Sequence, residues 1–199
     1  MVWLGGWAIA PATIHAAALR RWPAAEHVVV TPGPAWAGEL AQLARPGDRV
    51  VGYSLGAFLL LRGEQPLAPG ERMTLAAPFI DLRSETLLGG RVEEVRLKYM
   101  MRRLARRPLA AIAEFYEAAR LPLDPPSELP YSLDDLAWGL AQLYRPPGKP
   151  RFDALGGATA LVGDADPLVD ADRLAGLWPG LRVVQGADHQ LAPLLEAAS

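Results

Sequence analysis

Cysteine is absent from the 199-residue chain. Its absence excludes a disulfide framework, a thiolate nucleophile and a zinc knuckle. Histidine is scarce. His15, His27 and His189 stand far apart and never at the i, i+4 spacing of a helical metal site, so no metal and no other cofactor is expected. Strong charge of one sign is also missing: the formal net charge of −2 gives no footing for a nucleic-acid partner. No uninterrupted apolar run reaches the ~18–20 residues of a membrane helix, so no membrane partner is expected. The apolar stretch at residues 1–18 shares only its hydropathy with a secretion signal. No Lys or Arg precedes Arg20, so the positively charged leading region is missing, and a cytoplasmic location is expected.

What remains is a soluble globular composition, 51% hydrophobic and 21% charged, in a chain long enough for one domain with a small insertion. Alanine, arginine, proline and glycine are abundant without any repeat period. Short apolar runs alternate with helical patterns, which is the signature of a parallel sheet flanked by helices. Strands are predicted at 2–4, 28–31, 49–53, 73–76, 159–162 and 181–184. Helices are predicted near 12–21, 37–44 and 55–62, the first with Pro11 in its opening turn, where a missing N–H costs little. Asp170 and Asp172 are expected to begin a further helix, where acidic side chains suit the dipole.

Between residues 78 and 156 the strands stop. Three helical patterns follow, at 91–106, 108–120 and 132–144, separated by Arg107-Pro108 and a proline-rich stretch at 121–130. The expected organisation is an α/β core formed by 1–77 and 157–199, with 78–156 as a helical lid insertion. Loops leaving the carboxyl ends of strands border the ligand crevice of an open α/β sheet, so this insertion is placed to cover it. A helical subdomain that only completes the core is the other reading.

The chemistry centres on Gly52-Tyr53-Ser54-Leu55-Gly56. With 19 glycines and five serines, a Gly-x-Ser-x-Gly pattern arises by chance in roughly one such chain in twenty, so the motif alone decides little. Its setting decides more. A buried strand runs into it and an apolar helix runs out, so Ser54 falls on a tight strand-to-helix turn that exposes Oγ. The helix N-terminus aims its partial positive charge at the same place. Helix capping by a serine between packing glycines is the alternative.

A serine hydroxyl needs a positioned base. His189 follows the last predicted strand and is the candidate. His15 is read as a rim residue of the first helix, and His27 as bounding the second strand. The carboxylate that orients the base must lie between serine and histidine for the chain order Ser-Asp-His. Asp166 is the preferred acid. Asp164 is the competitor, with local hydrogen bonding to backbone N–H groups as its alternative role. The oxyanion donors expected are the backbone N–H of Leu55 and that of Trp7, which Gly5-Gly6 leaves unobstructed; an ordinary Gly-Gly turn is the alternative. Gly6 and Tyr53 complete the expected substrate and oxyanion surroundings.

Together, Gly6-Trp7, Tyr53-Ser54-Leu55-Gly56, Asp166-Pro167-Leu168-Val169, Leu177-Trp178-Pro179 and His189 resemble the α/β-hydrolase superfamily over essentially the whole chain. Within it, they are most similar to the esterases of biotin synthesis that act on pimeloyl-acyl-carrier-protein methyl ester. The resemblance implies a compact fold, a mostly parallel sheet of about six strands with a helical lid. It also implies serine carboxylester hydrolysis through an acyl-enzyme, on a small acyl ester presented by an acyl carrier protein. Three departures stand out. Gly5 replaces the histidine of the common His-Gly pair, and Thr31-Pro32-Gly33-Pro34 replaces the usual Asp-x-Pro-Gly. The first predicted strand is already the one that carries the oxyanion loop.

Arg96, Lys98, Arg102, Arg103, Arg106 and Arg107 concentrate positive charge in the insertion. They read either as a solvated helix face or as a docking patch for an acidic carrier. Tyr99, Met100, Met101, Leu104, Phe115, Tyr116, Trp138 and Leu143 serve either as an acyl pocket or, by default, as the packing of a helical hairpin. An acyl thioester would be handled by the same groups. A catalytically silent binding protein on the hydrolase fold is the reading from another class.

Overall fold

A computed structural model describes residues 1–63, 72–146 and 157–198. Six strands form one sheet: β1 (Val2–Leu4), β2 (Val28–Val30), β3 (Arg49–Tyr53), β4 (Arg72–Ala76), β5 (Thr159–Gly163) and β6 (Leu181–Val184). Their order is β2-β1-β3-β4-β5-β6 and every pairing is parallel. A parallel sheet is covered on both faces. Accordingly β3, β4 and β5 are apolar runs whose central residues are buried, while the edge strand β2 exposes Val28.

The order of the strands fixes where a ligand can bind. From β1 the chain steps outward to β2, then returns to the other side of β1 as β3. The reversal leaves a crevice beyond the carboxyl ends of β1 and β3. Leu4 pairs with Gly52, so the loop after β1 and the turn after β3 emerge side by side. The helix α3 (Leu55–Arg62) that follows is buried from Leu55 to Leu61, which requires backbone to approach backbone. A Cβ on Gly56 would stand 2.1 Å from the Leu4 carbonyl oxygen, and one on Gly52 would stand 2.8 Å from Ala57 Cα.

The flanking helices are α1 (Pro11–Arg21), α2 (Trp36–Leu43), α7 (Ala171–Leu177) and α8 (Leu191–Glu196). Pro11 opens α1 as expected, and the Asp170 side chain caps α7 by accepting the Arg173 N–H. The helix α8 and a short 3₁₀ turn at Ser84–Thr86 carry no sequence pattern that predicts them.

Three helices make the insertion: α4 (Glu94–Arg106), α5 (Pro108–Ala118) and α6 (Leu133–Tyr144). Pro108 separates α4 from α5, because the residue before a proline is driven out of helical conformation; Arg107 has φ −146°. Residues 91–93, predicted as helix, are extended instead. The Arg91 N–H donates to the Leu168 carbonyl and the Val92 N–H to the Leu82 carbonyl, so the start of the insertion is pinned to the core before α4 begins. A polar cluster adds to this anchor. The buried Arg83 forks onto Asp81 at 3.0 and 2.7 Å, while Glu94 accepts the Lys98 ammonium at 2.7 Å and the Tyr144 hydroxyl at 3.0 Å. Residues 147–156, expected to close the insertion, and residues 64–71 and 199, expected in the core, lie outside the described residues.

Candidate active site

Ser54 sits in the turn between β3 and α3 with φ 52° and ψ −113°. A non-glycine residue holds such a conformation only where its surroundings over-determine it. Here the Ser54 N–H is bound to the Ala76 carbonyl at 2.9 Å, and the Ser54 carbonyl accepts the Phe58 N–H of the new helix at 2.9 Å. The strained turn lifts Oγ off the end of the sheet.

His189 arrives from the loop after β6, and its Nε2 lies 2.9 Å from Ser54 Oγ. Its Nδ1 lies 2.7 Å from Asp166 Oδ2. An ionised carboxylate only accepts, so Nδ1 carries the proton and Nε2 presents its lone pair to the serine hydroxyl. Asp166 is fully buried and its second oxygen is also occupied. Oδ1 accepts the N–H groups of Leu168 at 2.8 Å and Val169 at 3.2 Å, which fixes the carboxylate plane. Asp164 does something different: its Oδ1 accepts the Gly186 N–H at 2.7 Å and ties the loop after β5 to the one carrying His189. The structure therefore brings Ser54, His189 and Asp166 into one hydrogen-bonded chain and leaves Asp164 outside it.

Tyr53 lies beneath this chain. Its hydroxyl donates to the His189 backbone carbonyl at 2.9 Å, and its ring fills the space beside Gly6, where an added Cβ would meet Cδ1 at 3.0 Å. Burial, reinforced by the carboxylates of Asp166 and Asp188, raises the Tyr53 pKa well above that of an ordinary phenol, so it stays a hydroxyl. Leu55 opens α3, where the first N–H groups of a helix have no internal partner. Among the described residues no acceptor takes the backbone N–H of Leu55 or of Trp7. Trp7 is buried, with its indole N–H donated to the Leu136 carbonyl of α6 at 2.8 Å.

A cavity of about 560 Å³ runs between the insertion and the core. Trp7, Leu97, Met100, Phe115, Leu140 and Leu168 contribute to its apolar wall, and Arg96 and Tyr99 belong to its lining as well. Leu143, read from the sequence either as pocket lining or as hairpin packing, also lines it, whereas Leu104 is a buried core residue. His15 and His27 stand elsewhere, with ring centroids 6.0 Å apart. The Trp3 indole donates to His27 Nδ1 at 3.1 Å, so His27 Nε2 carries the proton, 2.9 Å from the Trp22 carbonyl.

Some contacts at the site have no counterpart in the sequence reading. The Arg91 guanidinium donates to the Asp166 carbonyl at 3.2 Å. The hydroxyls of Tyr116 and Tyr131 reach the loop after β1. Gly139 lets α6 lie directly on Trp7 and Leu55. Helical spacing marks Tyr116 only as pocket or packing; the contacts themselves are revealed by the way the insertion packs.

No protein-family model and no curated protein sequence matches the chain. Solved structures do. An esterase from Exiguobacterium antarcticum superposes with a TM-score of 0.67 at 13% identity, over 94% of this chain and 84% of the other. A carboxylesterase structure from the ammonia-oxidizing thaumarchaeon Nitrososphaera gargenis gives 0.64 at 16% identity, over 98% and 84%. An N-acyl homoserine lactonase, solved with N-butanoyl homoserine, gives 0.62 at 17% identity, over 99% and 83%. Likeness at this level of identity is a likeness of fold. The chain has the α/β-hydrolase fold, as its motifs lead one to expect.

Proposed function

We propose that the protein is a serine hydrolase of carboxylic esters, working through an acyl-enzyme on Ser54. One observation carries the reading: the unbroken chain from Ser54 Oγ through His189 to Asp166, at a strained turn beside two N–H groups that have no acceptor among the described residues. Ser54 Oγ attacks the ester carbonyl as His189 Nε2 takes its proton, with Asp166 stabilising the imidazolium. The carbonyl oxygen becomes an oxyanion facing the Leu55 and Trp7 N–H groups. His189 then protonates the leaving alkoxide. A water molecule, deprotonated by the same nitrogen, attacks the acyl-enzyme to release the acid and restore Ser54.

The substrate proposed is a small acyl ester whose chain occupies the apolar cavity beside Trp7 and Leu168. Structural neighbours named as esterases and a lactonase act on esters, which agrees with this chemistry. Presentation on an acyl carrier protein, as in pimeloyl esters, belongs to the same proposal. Its support is the exposed face of α4, where Arg96, Tyr99, Arg102 and Arg106 flank or continue beyond the cavity lining. The patch is smaller than the sequence suggests, because Lys98 pairs with Glu94 and Arg103 with Glu114.

The test combines a fluorophosphonate probe with turnover of a short p-nitrophenyl ester. Wild type is expected to be labelled and to turn over, and Ser54→Ala to do neither; the loss in kcat should reach several orders of magnitude, on the order of 10⁶. Equal turnover by the two proteins would remove the mechanism, and an unlabelled, inert wild type would favour a binding protein. A panel of free and carrier-bound esters and thioesters, compared by kcat/KM at two salt concentrations, then tests the carrier.

A further inference from the structure

Among the described residues, the backbone hydrogen bond from the loop that follows β1 to the sheet is made at its start. The Gly5 N–H donates to the Val30 carbonyl at 3.0 Å, and beyond it the polar backbone contacts of Ala8 go to the insertion. Ala8 is buried and has φ 59°, a left-handed conformation that crowds an alanine Cβ against its own carbonyl. Two tyrosine hydroxyls hold it there. The Ala8 N–H donates to Tyr131 Oη at 2.7 Å, and the Tyr116 hydroxyl donates to the Ala8 carbonyl at 2.7 Å. Having accepted from Ala8, Tyr131 Oη turns its own proton toward the Gly6 carbonyl at 3.5 Å.

The geometry of the peptide unit gives these contacts a consequence. The Gly6 carbonyl and the Trp7 N–H belong to one planar trans peptide and point in opposite directions. A group that settles the Gly6 carbonyl on one side therefore settles the Trp7 N–H on the other. Tyr131 bridges the two peptide planes that flank Trp7, one through Gly6 and one through Ala8. Tyr116 secures the far side of Ala8. The Trp7 side chain is held by the same insertion, through Leu136 and through Phe115, whose ring stands edge-on at 4.9 Å.

We infer that Tyr116 and Tyr131 are positioning residues for the oxyanion hole: by fixing Ala8 in its left-handed conformation they aim the Trp7 N–H at the developing oxyanion. The inference rests on the hydrolase reading above. It makes the insertion a structural part of the catalytic machinery and not only a cover over it. Burial raises the pKa of both phenols, so both remain hydroxyls at neutral pH.

The test uses Tyr131→Phe and Tyr116→Phe, each of which removes one oxygen. Turnover of a p-nitrophenyl ester is compared with the affinity of a trifluoromethyl ketone. That ketone adds Ser54 Oγ to its carbonyl carbon, passes the serine proton to His189 and leaves a charged oxygen in the hole. Tyr131→Phe is expected to lower kcat by about tenfold to a hundredfold and the ketone affinity by a similar factor. KM and product affinity should stay within about twofold. Tyr116→Phe should show the same pattern more weakly, which keeps the test available if Tyr131→Phe fails to fold. Ala8→Gly, which accepts a positive φ without strain, should restore part of the lost kcat in either background. Wild-type kcat in both variants, equal loss of product and ketone affinity, or no rescue by Ala8→Gly would overturn the inference. A wild type inert toward esters would instead overturn the hydrolase reading, and this inference with it.

Discussion

The Tyr53 hydroxyl donates to the backbone carbonyl of His189 across 135 residues of intervening sequence, at 2.9 Å. The residue before Ser54 thus holds in place the loop that carries the proposed base, His189. Tyr53→Phe keeps the ring that packs beside Gly6 and removes only this bond. A buried carbonyl left without its donor costs about 1–3 kcal/mol. Chemical denaturation is expected to show a loss in that range, and kcat to fall about tenfold as the His189 loop relaxes. Unchanged kcat alongside the stability loss would make Tyr53 a packing residue only.

Asp166 and Asp164 differ in what a single nitrogen would do to them. Asp166 accepts three N–H groups, from His189, Leu168 and Val169, and an amide has one oxygen to meet them. Asp166→Asn is expected to leave His189 in the wrong tautomer and lower kcat by about 10³–10⁴. The one backbone bond that Asp164 accepts, from Gly186, survives in Asp164→Asn through the remaining oxygen. That variant should keep kcat within about threefold, since it retains a hydrogen bond of ordinary strength. The reverse ranking, measured by kcat on one ester, would exchange the roles of the two acids.

Much of this arrangement was legible in the sequence because it is local. The valine run before Gly52 and the leucine run after Gly56 place Ser54 at a strand-to-helix turn. The chain order of Ser54, Asp166 and His189 follows from strands with clear apolar patterns. Helix limits were harder to read. Arg91 and Val92 suit a helix but pair with Leu168 and Leu82, a tertiary bond that outweighs propensity. The bonds from Tyr116 and Tyr131 to the loop after β1 were invisible for a related reason. Tyr131 follows a proline-rich stretch with no periodicity, and its partner Ala8 lies 123 residues away.

Gly139 lies where α6 crosses Trp7 and Leu55, the two proposed oxyanion donors. A Cβ there would stand 2.8 Å from Trp7 Cδ1 and 3.0 Å from Leu55 Cδ2. In Gly139→Ala the overpacking costs about 1–3 kcal/mol, and the better helix propensity of alanine returns up to about 1 kcal/mol. Thermal unfolding should therefore record a net loss of about 0–2 kcal/mol, while kcat falls further than that loss explains if both displaced residues carry the proposed oxyanion N–H groups. Gly38, within α2, has nothing within 4 Å of an added Cβ. Gly38→Ala is the matched control, expected to add about 0.5–1 kcal/mol of stability with kcat unchanged. A parallel loss of Tm and kcat in Gly139→Ala would mean that the helix, not the hole, is what the glycine protects.

Glu94 links α4 to α6 through the Tyr144 hydroxyl and reaches toward Arg83 at 3.8 Å. Its pKa is lowered, first by the hydrogen bond from Lys98 and then by that from Tyr144. A carboxylate with a folded pKa below its unfolded one stabilises the fold above the unfolded value. That stabilisation is lost as pH falls through the folded value. The group is partly exposed, so the effect is modest and screened by salt. The Tm of wild type should exceed that of Glu94→Gln at pH 7. The gap should narrow as pH drops below the ordinary carboxylate range, and narrow again at pH 7 in high salt. Equal Tm values for the two proteins at pH 7 and low salt would assign the role of Glu94 to its hydrogen bonding with Tyr144, which a glutamine oxygen can also accept.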